Sequence, residues 1–260
     1  MMQLSKTDLN FILSRCPRDV LKLLRGNPGT LFLAGGFIRS TLAGEKVSDI
    51  DLFGGSADDL MRIAKDLTLE RKGRYFKTDN AITVLAPPRI PVQFITRWVF
   101  KDPGLCISSF DFTVCQAVIW TEKVEVGGKD EIKPGGRVDV NIGKPPDATK
   151  PQIIFHSAIS DAFYQDLAAR RLVYTFPQRE EEAGGSFMRM VKFIKKGYNI
   201  QAPSMAGVMS RILWKVRDEK MTDEKWMATV ITGLLRQIDP LHVIDGVDFV
   251  DEHEIIEGTR

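Results

Sequence analysis

The sequence holds little of what marks a metal centre or a secreted fold. It has three cysteines, Cys16, Cys106 and Cys115, and three histidines in 260 residues. An odd cysteine count without ligand spacing excludes a disulfide framework and a cysteine-bound zinc site, and reads as reduced thiols of a cytoplasmic protein. His242 and His253 stand apart from any metal-ligand spacing. No run of 18 apolar residues is present, so the pattern offers no membrane span. The first residues, M-M-Q-L-S-K-T-D, lack a signal-peptide pattern. A net charge of +2 excludes a basic coat over the whole chain and leaves room for a local basic groove. Internal repeats and low-complexity segments are missing. With 43% hydrophobic residues, the length suits one large domain or two small ones with real cores.

What the sequence does have is concentrated in Leu31 to Ser56, L-F-L-A-G-G-F-I-R-S-T-L-A-G-E-K-V-S-D-I-D-L-F-G-G-S. The apolar run Leu31 to Ala34 reads as a strand, ends in Gly35 and Gly36, and leads to Arg39 on a helix start. Asp49 and Asp51 follow inside a second apolar run. Strand side chains alternate, so the two carboxylates share a face about 7 Å apart while Ile50 and Leu52 point into a core. Two carboxylates on a rigid strand suit a pair of divalent ions about 4 Å apart, as used for in-line nucleotidyl transfer. Mg²⁺ takes a few carboxylates plus substrate phosphates, which matches two aspartates and no histidine. The glycines let backbone N–H groups approach a triphosphate, the helix start favours negative charge, and Arg39 adds a bidentate phosphate donor.

This stretch resembles the signature of the DNA polymerase beta superfamily of nucleotidyltransferases. More narrowly it is similar to the tRNA CCA-adding enzymes and bacterial poly(A) polymerases, whose pattern runs G-G-x-x-R-D and then D-x-D-L. Gly35, Gly36, Arg39, Asp49, Asp51 and Leu52 match, and Ser40 stands where the family has an acid. A second block, Phe110 to Ala117, resembles the family's R-R-D-F-T-x-N-A through Asp111, Phe112, Thr113 and Ala117, with Ser109 and Phe110 in place of the arginines. A third covers Arg189 to Phe193 and Gly197 to Ile200. The likeness spans roughly residues 25 to 200. It implies an α/β (α+β) fold, a polymerase-beta-like head with a small mixed sheet followed by a helical domain. It also implies Mg²⁺ or Mn²⁺ on Asp49 and Asp51, and a nucleoside triphosphate, ATP being the first expectation. Asp111 would join the catalytic and nucleotide-binding set, and Asp166, Arg170 and Arg171 resemble a nucleotide-side run. On residues alone, Asp111 reads equally as a cap or turn acid. Some family members take a third carboxylate from a strand near Pro91 to Ile95, where this chain has Gln93. Either two carboxylates suffice or another acid such as Asp111 supplements them. The acidic element that selects bases in the CCA-adding enzymes has no counterpart.

Along the chain, helix is expected over residues 7 to 26, with Thr7 as cap and a second start at Pro17. An amphipathic helix is expected over Ser56 to Leu67, capped by Ser56, with Leu60, Ile63, Ala64 and Leu67 on one face. Strands over Tyr75 to Leu85 and Ile90 to Trp98 flank a turn at 86–89. A hairpin over 123–132 and a loop over 135–151 precede a boundary, giving a catalytic domain over 1–150 and a helical nucleotide- and RNA-binding domain over 151–260. From His156 the pattern reads as helical. Phe187, Val191, Ile194 and Tyr198 share one helical face. Arg189, Lys192 and Lys196 form a basic stripe that reads as a solvated face, an RNA contact or a triphosphate contact. Two more helices are expected over 204–217 and 222–238, with Trp214 and Trp226 as core or acceptor-facing aromatics, then an acidic stretch over 243–260.

The expected activity is template-independent addition of nucleoside monophosphates to an RNA 3′-hydroxyl, of tRNA or another RNA, with release of pyrophosphate. It is poly(A) polymerase-like, since the chain is short for a CCA-adding enzyme. Two rivals stay open: transfer to a protein or small molecule, and a non-catalytic RNA-binding module that kept the fold.

Overall fold

The structure, a computed structural model, describes residues 1–124, 151–177, 184–215 and 224–229. It divides into two compact units. One holds Met1–Ser108 and, among the described residues, 115–124 and 151–161; the other holds Ser109–Val114 and the described residues from Ala162 onward.

The first unit opens with helices α1 (Lys6–Arg15) and α2 (Arg18–Gly26). Ser5, and not Thr7, caps α1: its Oγ accepts the Asp8 N–H at 3.1 Å. Pro17 starts α2, as expected. Strand β1 (Leu31–Ala34), helix α3 (Gly36–Ala43), strand β2 (Ile50–Gly54) and helix α4 (Ala57–Arg71) follow. Ser56 caps α4 through the Asp59 N–H at 3.4 Å, and Leu60, Ile63, Ala64 and Leu67 are its buried face. The helix runs one turn past its expected end, because Thr68 and Arg71 are buried too.

The expected strand over 75–85 is two strands, β3 (Arg74–Lys77) and β4 (Ala81–Leu85). Between them the Thr78 hydroxyl accepts the N–H groups of Asn80 and Ala81 at 3.2 and 3.1 Å, a tight turn that breaks the run. β4 then pairs antiparallel with β5 (Val92–Ile95), as a turn at 86–89 requires. Helix α5 (Pro103–Ser108), strand β6 (Ala117–Val124) and strand β7 (Gln152–Ile159) complete the unit. β7 corrects the helical expectation at His156: residues 152–159 pair in antiparallel register with all of β6. Ile153, Ile154, Phe155 and Ile159 are β-branched or aromatic, and a long partner strand decides between strand and helix where a short apolar run cannot. The hairpin over 123–132 and the loop over 135–151 lie, apart from their ends, outside the described residues.

The seven strands form one mixed sheet in the order β3-β4-β5-β2-β1-β6-β7. Its described pairings are antiparallel except β2 with β5. That parallel pair follows from connectivity: the chain leaves β2 through α4 and returns only after the β3–β4 turn. β2 is the middle strand.

The second unit holds a 3-10 turn that begins at Thr113, helix α6 (Phe163–Ala168), strand β8 (Arg171–Leu172), helix α7 (Gly185–Lys195), strand β9 (Asn199–Ile200) and helix α8 (Ala202–Lys215), with residues 224–229 helical. Its core is aromatic: Phe112 meets Tyr174 and Phe193 edge-on at 5.9 Å each, and Phe193 meets Tyr198 at 5.1 Å. α7 buries Met188, Met190 and Phe193, while Ile194 is exposed, so the face through Phe187, Val191 and Ile194 is not the core face. The expectations for Trp214's side chain, His242, His253 and the 243–260 stretch fall outside what is described. Trp226 is half-buried. Among the described residues, no helix is long and apolar enough to cross a membrane.

Candidate active site

Asp49 immediately precedes β2 and Asp51 lies within it; both are half-buried. Ile50 and Leu52 between and beyond them are fully buried on the opposite face. The alternation read from sequence therefore holds. Ser48 donates its hydroxyl to Asp49 Oδ1 at 2.9 Å. Leu33 of β1 pairs with Leu52, so Ala34 comes opposite Asp51 and the glycines follow directly. Gly35 sits at φ +76°, a conformation that a side chain disfavours, and its N–H donates to the Ala117 carbonyl at 3.0 Å. The chain can thus turn from β1 into α3 within one residue, which brings the open N–H groups of α3 beside the aspartate strand.

Arg39 is buried under this turn. Its Nη2 donates to Ser40 Oγ at 3.1 Å and Nη1 to Cys115 Sγ at 3.7 Å, while Nε lies 4.0 Å from a Glu45 carboxylate oxygen. A methyl group on Gly36 would stand 3.8 Å from the guanidinium. Glu45 was not singled out in the sequence, and Cys115 was read only as a reduced thiol. Neither carries a local signal; each is recognised only once β6 and the loop after α3 are folded.

The carboxylates present an oxygen-only donor set. Among the described residues no group of three or more His, Cys, Asp or Glu side chains is placed to hold a metal ion. The chain would supply two hard ligands and leave the remaining positions to water and phosphate, a coordination that suits Mg²⁺ or Mn²⁺, whereas zinc and iron sites usually recruit His or Cys as well. The residues present fit that ion.

In the second unit the remaining candidates are joined by arginine–carboxylate pairs. Asp111 is 1% exposed, and Arg189 donates Nε to its Oδ2 at 2.6 Å. Asp166 is fully buried; its Oδ2 accepts the Thr113 hydroxyl at 2.5 Å and its Oδ1 accepts from Arg171 Nε at 2.7 Å. The D-F-T triplet has a physical sense here: Asp111 takes Arg189, Phe112 enters the aromatic core, and Thr113 takes Asp166. Arg170, at φ +46°, donates to the Lys196 carbonyl at 3.0 Å. Lys192 and Lys196 are exposed, whereas Arg189 is drawn to Asp111 and leaves the stripe shorter than its spacing implies.

A family model described as Gabija anti-defense 2 family protein matches residues 3–132, half of the chain. No curated protein matches. Among solved structures, the chain is similar to a Thermotoga maritima CCA-adding enzyme complexed with tRNA, at 15% identity and TM-score 0.48, over 97% of this chain and 58% of that one. It is also similar to a CCA-adding enzyme with CTP, at 13% identity and TM-score 0.49, over 94% and 56% of the two chains. A CCA-adding enzyme with ATP gives 15% and 0.47 over 94% and 56%. The chain spans less than two thirds of the length of each.

Proposed function

The chain belongs to the Gabija anti-defense 2 family, and from that premise we propose that it is a nucleotidyltransferase. It would move a nucleoside monophosphate from a nucleoside triphosphate, ATP first among the candidates, to a hydroxyl acceptor and release pyrophosphate. One observation carries this reading. Asp49 immediately before the central strand β2 and Asp51 within it alternate with the buried Ile50 and Leu52, and the neighbouring strand β1 ends beside them in a glycine turn that opens a helix.

In this reading Asp49 and Asp51 hold Mg²⁺ or Mn²⁺. Bound there, the ion would lower the pKa of the acceptor hydroxyl and stabilise the leaving pyrophosphate. Gly35, Gly36 and the start of α3 receive the triphosphate through backbone N–H groups, and Arg39 beneath them holds the turn and meets the phosphate charge. In the second unit the acids are buried and their arginines reach solvent: the side chains of Arg189 and Arg171 are 34% and 38% exposed. We therefore read Asp111 and Asp166 as positioning residues that aim Arg189 and Arg171, with Arg170, at a nucleotide or RNA. Lys192 and Lys196 add backbone contacts.

The proposed acceptor is an RNA 3′-hydroxyl, of tRNA or another RNA. A second reading, favoured by the anti-defense description of the family, is that the acceptor belongs to Gabija itself. Both are tested by supplying each α-labelled nucleoside triphosphate with Mg²⁺, in parallel with total RNA and with the purified Gabija proteins. Labelled, lengthened RNA supports the first acceptor and labelled protein the second. Asp49→Asn and Asp51→Asn are each expected to abolish label transfer with the fold retained. Activity within a few-fold of wild type in both variants overturns the assignment. A wild-type chain that labels neither acceptor, in the presence of a bound nucleotide, leaves a binding module.

A further inference from the structure

Asp51 has a neighbour the acid pair does not explain. In the parallel β2–β5 pair, Asp51 is the register partner of Gln93, and Gln93 in turn is the partner of Thr83 on β4. Register partners on adjacent strands project from the same face about 5 Å apart, so the Gln93 carboxamide stands beside the Asp51 carboxylate. Val92 and Phe94 on either side of Gln93 are fully buried on the other face, which fixes that orientation. Gln93 is half-buried, and so are Asp49 and Asp51.

We propose that Gln93 sets the ion affinity of the site: an uncharged side chain at this register keeps the acid face at two negative charges, so a divalent ion is held firmly only when nucleotide phosphates complete its shell. This rests on the nucleotidyltransferase reading of Asp49 and Asp51. The physical basis is charge. A carboxylate at position 93 would stand about 5 Å from Asp51, where like charges on a partly solvated surface repel and a shared cation is strongly attracted. An amide does neither; it offers one carbonyl acceptor and two N–H donors to water or carboxylate around the ion. The chain would thereby take up its ion together with the triphosphate.

The test is Mn²⁺ binding, read as loss of the free-ion electron paramagnetic resonance signal, with and without a non-hydrolysable ATP analogue. Wild type is expected to bind Mn²⁺ weakly alone and more tightly with the analogue. Gln93→Glu should bind Mn²⁺ alone about tenfold more tightly or better, a size usual for groups next to a metal ligand. Most of that gain should vanish in the Gln93→Glu, Asp51→Asn double variant, because it depends on the pair. Gln93→Glu should also melt lower than wild type without the ion and recover when Mn²⁺ is added, a response that a merely structural glutamine would not show. Unchanged Mn²⁺ affinity in Gln93→Glu, or a gain that persists in full without Asp51, overturns the role of Gln93. If instead Asp49→Asn and Asp51→Asn leave wild-type Mn²⁺ binding as it was, the acid pair is not the ion site, and the reading on which this rests fails first.

Discussion

At the end of α4 the Arg71 side chain has no solvent exposure and divides its donors between two acceptors. Nε and Nη2 donate to the Asp19 carboxylate at 2.9 and 3.1 Å, and Nη1 donates to the Ile90 carbonyl at 2.8 Å. Asp19→Ala leaves that guanidinium buried without its counter-charge and should cost about 3–5 kcal/mol, measured by denaturant unfolding. The pair also makes stability depend on pH. Burial pushes the Asp19 carboxyl up, and the hydrogen bonds and charge of Arg71, with the Val20 N–H and the Arg89 charge, together outweigh it, leaving it below the ordinary carboxylate value. A carboxyl lowered by folding contributes its full stability above the unfolded value of about 3.9 and loses it as pH falls through the folded value. The stability gap between wild type and Asp19→Asn should therefore narrow as pH is taken from 7 toward 3; a gap constant over that range would count against the pair. Burial also pushes the nearby Cys16 thiol up to about 12. It stays neutral at pH 7, and its alkylation should wait on unfolding.

At the scale of elements, the α4 cap and the α7 stripe give two measurable expectations. Ser56→Ala removes the acceptor for the Asp59 N–H and should cost about 1 kcal/mol; a change below about 0.3 kcal/mol would mean that Asp58 and Asp59 alone hold the helix start. If Lys192 and Lys196 follow an RNA backbone, replacing both with alanine should shallow the salt slope of binding by about 1.4, at roughly 0.7 per contact for a single strand. An unchanged slope returns them to ordinary cover at a helix C-terminus. Elements with a local signature were legible in the sequence. β1, α3 and the buried face of α4 follow from a short apolar run, a double glycine and helical spacing. The placing of Asp49 and Asp51 on one face followed from period-two alternation, and their choice as a site from the double glycine and Arg39 at that spacing. What was not legible depends on distant partners. Nothing near His156 says that β6 lies alongside it, and nothing near Asp111 says that Arg189, 78 residues on, pairs with it. The split at Thr78 was legible and passed over: Lys77-Thr78-Asp79-Asn80 is a polar turn cluster inside the run.

For the whole molecule, a ligand that binds only the folded chain raises its stability by mass action. An ATP analogue with Mn²⁺ at about a hundred times its Kd should add about 2.7 kcal/mol, which for a chain of this size is roughly 5–10 °C in Tm. Replacing both Asp49 and Asp51 with asparagine should remove most of the shift; an equal shift in that variant would move the nucleotide elsewhere. The place of β2 in the sheet has a further result. With three strands on either side of it, its backbone cannot fray from an edge. Amide protons of Ile50 to Gly54 should exchange with deuterium only through opening of the whole sheet, at rates that report global unfolding. Substitutions at the outer strands β3 and β7 should then quicken exchange in their own strand first, and in β2 only as far as they lower the stability of the whole unit. A lineage could rewrite those margins extensively while the two aspartates went on facing the same way.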